Sequence, residues 1–436
     1  MSWSFMARTC RILWAALACI FVVPVMAQQE NGTRLPRDVL DQAPPAVQQA
    51  VQTAWSKSPA LRAAQARLQA AQARSRAAAR PLYNPEMELT AERADVDTRS
   101  VGLSQTLDWS GKRRARADVG TAELRAAEAG FDLMRLEIGL QWLGGYAAFQ
   151  VAGEQVALGG ERVRILTQFE SLAQRRFAAG DIPSLERDLA TLALQESRAQ
   201  QAELVADWAQ AQRRLTAIGG DVERLPDLPR NLPLPAALPV ADALIDTLPA
   251  VRQSRAETDV AAASVTVAQR QRRADPTVSV STGRVTQGVF RDNLIGVTVR
   301  IPLFVRNTYR DEVSAALADA DEAQAALSDQ RLRAVAQANE AGTAYNALRE
   351  AWMTWESSRA SRFGERAALL QRLWEAGELS TADYVVQLKQ SIDTELTAAS
   401  LRARVWQAWA DWLGASGQLV AWLTPAAAPT DQGTNP

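Results

Sequence analysis

Two long stretches of the chain carry the same pattern of apolar and polar positions. From about Lys112 to Phe177 there is no proline and the residues are mostly Ala, Leu, Arg, Gln and Glu, which predicts one uninterrupted helix. It ends in Ala179-Gly180-Asp181-Ile182-Pro183-Ser184. About 66 residues at ~1.5 Å each give a rod of about 100 Å, longer than a compact domain of ordinary size needs. A second helical run, from about Arg306 to Ala376, stops at a near copy of that turn, Ala376-Gly377-Glu378-Leu379-Ser380.

The rest of the chain repeats in step with these rods. A helical pattern from Ala46 to Arg80, with Val47, Val51, Trp55, Leu61 and Leu68 on its face, ends before Pro81 and Pro85. Glu86 to Glu92 then alternates with period two, which predicts a strand with Met87, Leu89 and Ala91 on one face and Glu86, Glu88, Thr90 and Glu92 on the other. After a polar loop around Asp95 to Arg99, a second strand from Val101 to Trp109 carries Val101, Leu103, Leu107 and Trp109 on one face, interrupted by Gln105. Beyond the first rod, a helix from Ser184 to Ile218 stops at Gly219-Gly220, and residues 221–249 are proline-rich and irregular. The second half reads alike: a helix from Ala250 to Arg273, a strand at Val278, Val280 and Thr282, and a loop with Gly283, Gly288 and Asn293. The fourth strand follows, with Ile295, Val297, Val299, Ile301 and Leu303 opposite Gly296, Thr298 and Arg300, then the second rod and a helix from Ser380 to Ala415. Gly102-Leu103 maps onto Gly296-Val297 at an offset of 194, and Gly180 onto Gly377 at 197.

The fold class is therefore mainly α with a small membrane β part, built as a duplicated helix-strand-strand-helix-helix repeat. Residues 28–220 form the first repeat, 221–249 an irregular segment, 250–417 the second repeat and 418–436 a disordered tail. Two flanking helices of about 35 residues, stacked end to end, match one rod, so each half makes a two-row antiparallel rod. Strands that alternate apolar with polar residues suit a barrel with lipid outside and water inside. Four strands cannot close alone, since small closed barrels need about eight, so closure falls to copies of the chain; three copies give twelve strands. On this reading Glu86, Glu88, Glu92 and Arg300 face a barrel lumen, the alternative being a solvated strand face of a soluble sheet. Tyr83, Trp109, Phe290 and Phe304 near strand ends are either an aromatic girdle or ordinary junction aromatics.

Composition narrows the chemistry. Residues 1–27 read as a secretory signal, with Arg8 and Arg11 before an apolar run and Val25-Met26-Ala27 as the cleavage site. Both cysteines, Cys10 and Cys19, lie within it, and Ala16-Leu17-Ala18 is a poor lipobox, so no lipid anchor, disulfide or thiolate is expected in the mature chain. There is no histidine among the 436 residues, and only Met87, Met134 and Met353 remain after the signal, so the chain is not expected to be an enzyme, to hold a metal or to need a cofactor. A net charge of −1 gives no pull toward nucleic acid, and no Gly-rich phosphate cradle precedes Lys112-Arg113-Arg114.

The duplicated order resembles the TolC family of outer-membrane efflux proteins over nearly all of the mature chain. Arg176-Phe177-Ala178-Ala179-Gly180-Asp181-Ile182 and Leu373-Trp374-Glu375-Ala376-Gly377-Glu378-Leu379-Ser380 resemble that family's periplasmic helix turns. Gly111-Lys112-Arg113 and Ile301-Pro302-Leu303-Phe304 with Arg306-Asn307 are similar to its heavy-metal branch, which serves cobalt-zinc-cadmium and copper-silver export; Val305 and Thr308-Tyr309 depart from that wording. The resemblance implies a trimeric channel-tunnel in the outer membrane of a Gram-negative bacterium, a twelve-stranded β-barrel continued by a long periplasmic α-helical barrel. It implies as partners an inner-membrane pump of the resistance-nodulation-division type and a periplasmic adaptor that grips the tips at Gly180, Asp181, Ile182, Gly377, Glu378 and Leu379. It also implies that the duct is passive, for heavy-metal cations or for drugs and other organic molecules, and that 221–249 and the C-terminal segment form a belt around the rod's middle. Asp383 and Glu186, six residues after each tip glycine, match the region where the family's carboxylates line the closed periplasmic aperture; Val386 stands where many members have a second acid. An acid in a first helical turn also stabilises the helix dipole with no gate at all. The reading from another class is a periplasmic adaptor or structural coiled-coil protein, which needs a lipoyl-like sheet between its hairpin arms.

Overall fold

The computed structural model describes residues 42–229, 231–357 and 363–423, and the signal expected over 1–27 lies outside them. Pro59 splits the helix expected from Ala46 to Arg80 into α1 (Pro45–Lys57) and α2 (Pro59–Ala78). A residue before proline is pushed out of the helical region, and Ser58 is extended at ψ 120. Its hydroxyl then caps α2 by accepting from the Leu61 amide at 3.3 Å.

The first rod, α3 (Lys112–Ala179), is 68 residues long. Gly111 precedes it in the left-handed region (φ 75) and offers no side chain as a cap; both carboxylate oxygens of Asp108 accept instead from the Lys112 and Arg113 amides at 2.8 Å. It packs on α2, on α4 (Ser184–Ala217) and, from the second repeat, on α6 (Pro249–Gln271) and α9 (Thr381–Ala415). The second rod starts at Arg310, four residues later than expected, because Arg306-Asn307 belong to a turn in which the Asn307 side chain accepts from the Tyr309 amide. It is described as α7 (Arg310–Ser357) and α8 (Phe363–Glu375), and residues 358–362 between them lie outside the described residues.

The irregular segment contains a 3-10 turn (Val222–Arg224) and a one-turn helix, α5 (Asp242–Ile245). A tyrosine from each rod holds it: Tyr146 donates to the Pro226 carbonyl and Tyr345 to that of Pro233, both at 2.7 Å. Asn346 clamps Ala236 by exchanging two hydrogen bonds with its backbone. Beside it lies the largest core, built on Trp142, Tyr146, Tyr345, Trp409 and Trp412. The expected disorder of 418–436 does not hold at its start. Leu419–Leu423 form α10, whose Leu419, Trp422 and Leu423 are buried in this core, and the Trp422 carbonyl accepts from the Ala43 amide. Residues 424–436 lie outside the described residues.

All four strands form one antiparallel sheet in the order β1-β2-β3-β4: β1 (Glu86–Glu92), β2 (Asp97–Thr106), β3 (Thr277–Gln287) and β4 (Phe290–Arg300). The first strand falls where its alternation predicts. The second begins four residues early, at Asp97, because what reads as a polar loop is paired on both sides, Arg99 with Ala91 and with Arg284. It ends at Thr106, and Leu107 to Trp109 lie beyond it. Gly283 and Asn293, read as loop residues, pair within β3 and β4, and only Gly288 (φ 58) and Val289 make the turn. Gly283 is there for close approach: a Cβ on it would stand 2.3 Å from the Arg99 carbonyl oxygen.

Candidate functional site

Three places could do chemical or mechanical work: the sheet faces, the junction between sheet and helices, and the helical tips. The register puts Met87, Leu103, Val280 and Val297 in one row and Leu89, Val101, Thr282 and Ile295 in the next, all on one face. These large apolar side chains are exposed, Leu89 at 71% and Ile295 at 78%, whereas Ser100, Gly102 and Ser104 on the other face of β2 are half-buried. Water is the wrong solvent for that face. The second face carries Glu86, Glu88 and Glu92 on β1 and Arg300 on β4. They share a face as expected, but β1 and β4 are the two edges, so one chain does not bring the glutamates and Arg300 together.

At the junction a buried carboxylate gathers groups from both repeats. Asp275, just before β3, accepts from the Tyr83 hydroxyl at 2.9 Å and the Ser110 hydroxyl at 3.0 Å, and pairs with the Lys112 ammonium at 3.0 Å. Arg270 donates to the Ser110 carbonyl, and the Trp109 indole to that of Ala274 at 2.7 Å. Burial and the Asp275 carboxylate push the Tyr83 hydroxyl up to about 12. Lys112 is thus an internal tie between the repeats, and Trp109 is anchored by its N–H with its ring exposed.

The two tips are built alike. Gly180 and Gly377 adopt φ 82 and φ 75, and the amides of Asp181 and Glu378 each reach back to the carbonyl five residues before, Arg176 and Leu373, at 2.9 Å. This is a helix terminus that requires a left-handed residue. Ile182 and Leu379 follow and pack on a second core of Phe169, Trp374, Tyr384, Leu388 and Ile392. Sequence reasoning missed what joins the tips. The Arg176 guanidinium lies over the Trp374 ring at 4.6 Å and donates to the Glu375 carbonyl at 2.8 Å, so the end of one rod caps the end of the other. No local pattern announces a contact across 199 residues.

Glu186 and Asp383 both lie at these tips, in different roles. Glu186 of α4 accepts from the Thr381 hydroxyl of α9, which itself accepts from the Trp374 indole at 3.1 Å. Asp383 is exposed and lies three residues after the N-cap Ser380, whose hydroxyl donates to the carboxylate at 2.7 Å and accepts from the Asp383 amide at 3.1 Å. Further along, Glu196 accepts from Lys389 and Asp393 from Arg162 at 3.2 Å, two ties between the hairpins. Among the described residues no group of His, Cys, Asp and Glu could hold a metal ion, and no helix is long and apolar enough to cross a membrane.

A duplicated pair of helical hairpins on a four-stranded sheet with an apolar outer face defines the class. Residues 50–221 match the family model "Outer membrane efflux protein". It is 28% identical over 252 residues to the cobalt-zinc-cadmium resistance protein CzcC of Cupriavidus metallidurans, a match over 56% of this chain and 60% of that one. With the nickel-cobalt-cadmium resistance protein NccC of Alcaligenes xylosoxydans xylosoxydans it shares 27% over 270 residues, 59% and 61% of the two chains. The chain thus spans about three fifths of the length of the curated relatives it matches. Its fold is that of a membrane protein from Pseudomonas aeruginosa, at a TM-score of 0.73 and 19% identity over 88% of this chain and 96% of that one. The MtrE outer membrane channel of Neisseria gonorrhoeae gives 0.68 and 17% over 88% and 91%.

Proposed function

We propose that the chain is the outer-membrane exit duct of a tripartite efflux system, conducting passively while an inner-membrane pump supplies energy and a periplasmic adaptor grips the tips. The observation that carries this is the sheet: an apolar face exposed on one side, a polar face on the other, and two unpaired edges, β1 and β4, among the described residues. Lipid admits no open strand edge, so copies of the chain close the sheet, and three copies give twelve strands. Closure sets β4 of one copy beside β1 of the next, which brings Arg300 to the end of β1 that carries Glu86. Heavy-metal cations are the cargo favoured by the names of the relatives, and export of organic molecules would use the same duct. The adaptor reading lacks support, since the strands described form one sheet of alternating faces with no lipoyl-like sheet between hairpin arms.

The gate in this account is the ring of Asp383 carboxylates around the axis at the tips, each held by the Ser380 hydroxyl, with Glu186 beside it on the neighbouring hairpin tied to Thr381. Conductance of the purified protein in a planar bilayer tests both duct and gate, with Asp383→Ala and with divalent cations on the tip side. A small wild-type conductance that rises on substitution, with cation block relieved, is expected. Conductance unchanged by the substitution would move the gate elsewhere, and a folded protein that never inserts would overturn the duct.

A further inference from the structure

The apolar face of the sheet ends in arginines. Alternation places Arg99 on the face of Val101 and Leu103, Arg284 on that of Val280 and Thr282, and Arg291 on that of Ile295 and Val297. Arg99 and Arg284 are direct cross-strand partners in the middle of the sheet, and Arg291, opposite Thr286, is the diagonal neighbour of Arg284. Like charges directly opposite destabilise a strand pair, and an anion between them relieves that repulsion. All three are exposed, and none has an ion-pair partner among the described residues. The acid nearest in register on this face, Asp97, is turned to Arg93 at 3.9 Å.

Their level is as informative as their charge. The helices leave the sheet at its opposite end, by Thr106, Thr277 and Arg300, so the arginines sit beside the β1–β2 and β3–β4 turns, just past the apolar rows. The seven steps from Arg99 to Thr106 rise about 24 Å at ~3.4 Å each, about 18 Å along the membrane normal at a tilt of ~40°, and the exposed Leu107 and Trp109 beyond Thr106 carry the apolar face on toward the ~25 Å of an outer-membrane band. The arginines then lie in the outer leaflet at head-group depth. A guanidinium fork matches a phosphate bidentately, and two forks on adjacent strands present four N–H donors to one anion.

We propose that Arg99, Arg284 and Arg291 form a binding site for the phosphate of an anionic outer-leaflet glycolipid on the lipid-facing wall of the sheet. The proposal rests on the outer-membrane reading above. The test uses the full chain in phosphatidylcholine bilayers containing either bisphosphorylated lipid A or its dephosphorylated form, with the glycolipid retained per chain counted by mass spectrometry. Wild type is expected to retain at least about tenfold more of the phosphorylated form, and Arg99→Gln with Arg284→Gln to bring the two close to parity while conductance stays unchanged. Should the double variant fail to insert, the wild-type preference between the two glycolipids still decides. Equal retention by a wild type that conducts overturns this site alone, whereas a wild type that never inserts overturns the duct as well. Full displacement of the glycolipid by millimolar inorganic phosphate would assign the arginines to the free ion and overturn the lipid site.

Discussion

Asp275 is 5% exposed and serves three donors, so its charge is tolerable only while Lys112 is beside it. Asp275→Asn leaves the largely covered Lys112 ammonium without its partner and is expected to cost about 3 kcal/mol in denaturant unfolding. Asp275→Leu combined with Lys112→Met should recover part of that loss, because it removes both charges together. Glu196 behaves differently: the hydrogen bond from Lys389 holds its carboxyl below the usual 4.5, and both side chains are nearly half exposed. A carboxyl with a lowered folded pKa stabilises fully above about pH 4.5, and that contribution disappears as pH falls through the folded value. Wild type should therefore melt slightly above Lys389→Met at pH 7, by the equivalent of about 0.2–1 kcal/mol, and at the same temperature near pH 3. A gap that persists in acid would place the effect in packing. Neither pair was legible in the sequence, since Lys112 and Tyr83 reach Asp275 from the other repeat, Tyr83 across 192 residues, and Lys389 meets Glu196 across 193.

At the scale of elements, periodicity and glycine did most of the reading. The first rod and both tip turns lie within a few residues of where their patterns predict, because a long proline-free helix and a left-handed terminus are local properties. Two elements were not local. The start of β2, Asp97-Thr98-Arg99, is polar on a strand end, and only its hydrogen bonds to β1 and β3 make it a strand. The helix break at Ser58 was written in Pro59 but hidden by unbroken apolar spacing around it. Gly180 has open space where a Cβ would go, so Gly180→Ala costs backbone strain alone, about 1–2 kcal/mol, and Gly180→Asn less. Calorimetry of the two variants checks this. Arg176→Met should uncap the end of the second rod and raise amide exchange at Glu375 to Leu379 without lowering the global melting point much, since the second core and the Glu186–Thr381 bond still join the tips.

On the scale of the molecule the apolar sheet face is the feature most out of place in water. An acidic residue there would face hydrocarbon, so Leu103→Asp or Val297→Asp should reduce insertion into bilayers, at a cost of about 1–2 kcal/mol per chain. Ser281→Asp, on the opposite face of the same sheet, should insert normally; equal behaviour of the two faces would remove the case for lipid contact. The faces themselves were legible from alternation, but the closure of the sheet was not, because Ala-rich rods pack closely at any copy number. The most direct measurement of the account is therefore the mass of the detergent-extracted assembly by light scattering. Three copies, closing twelve strands, are predicted; a well-folded monomer with four strands and two open edges would contradict it.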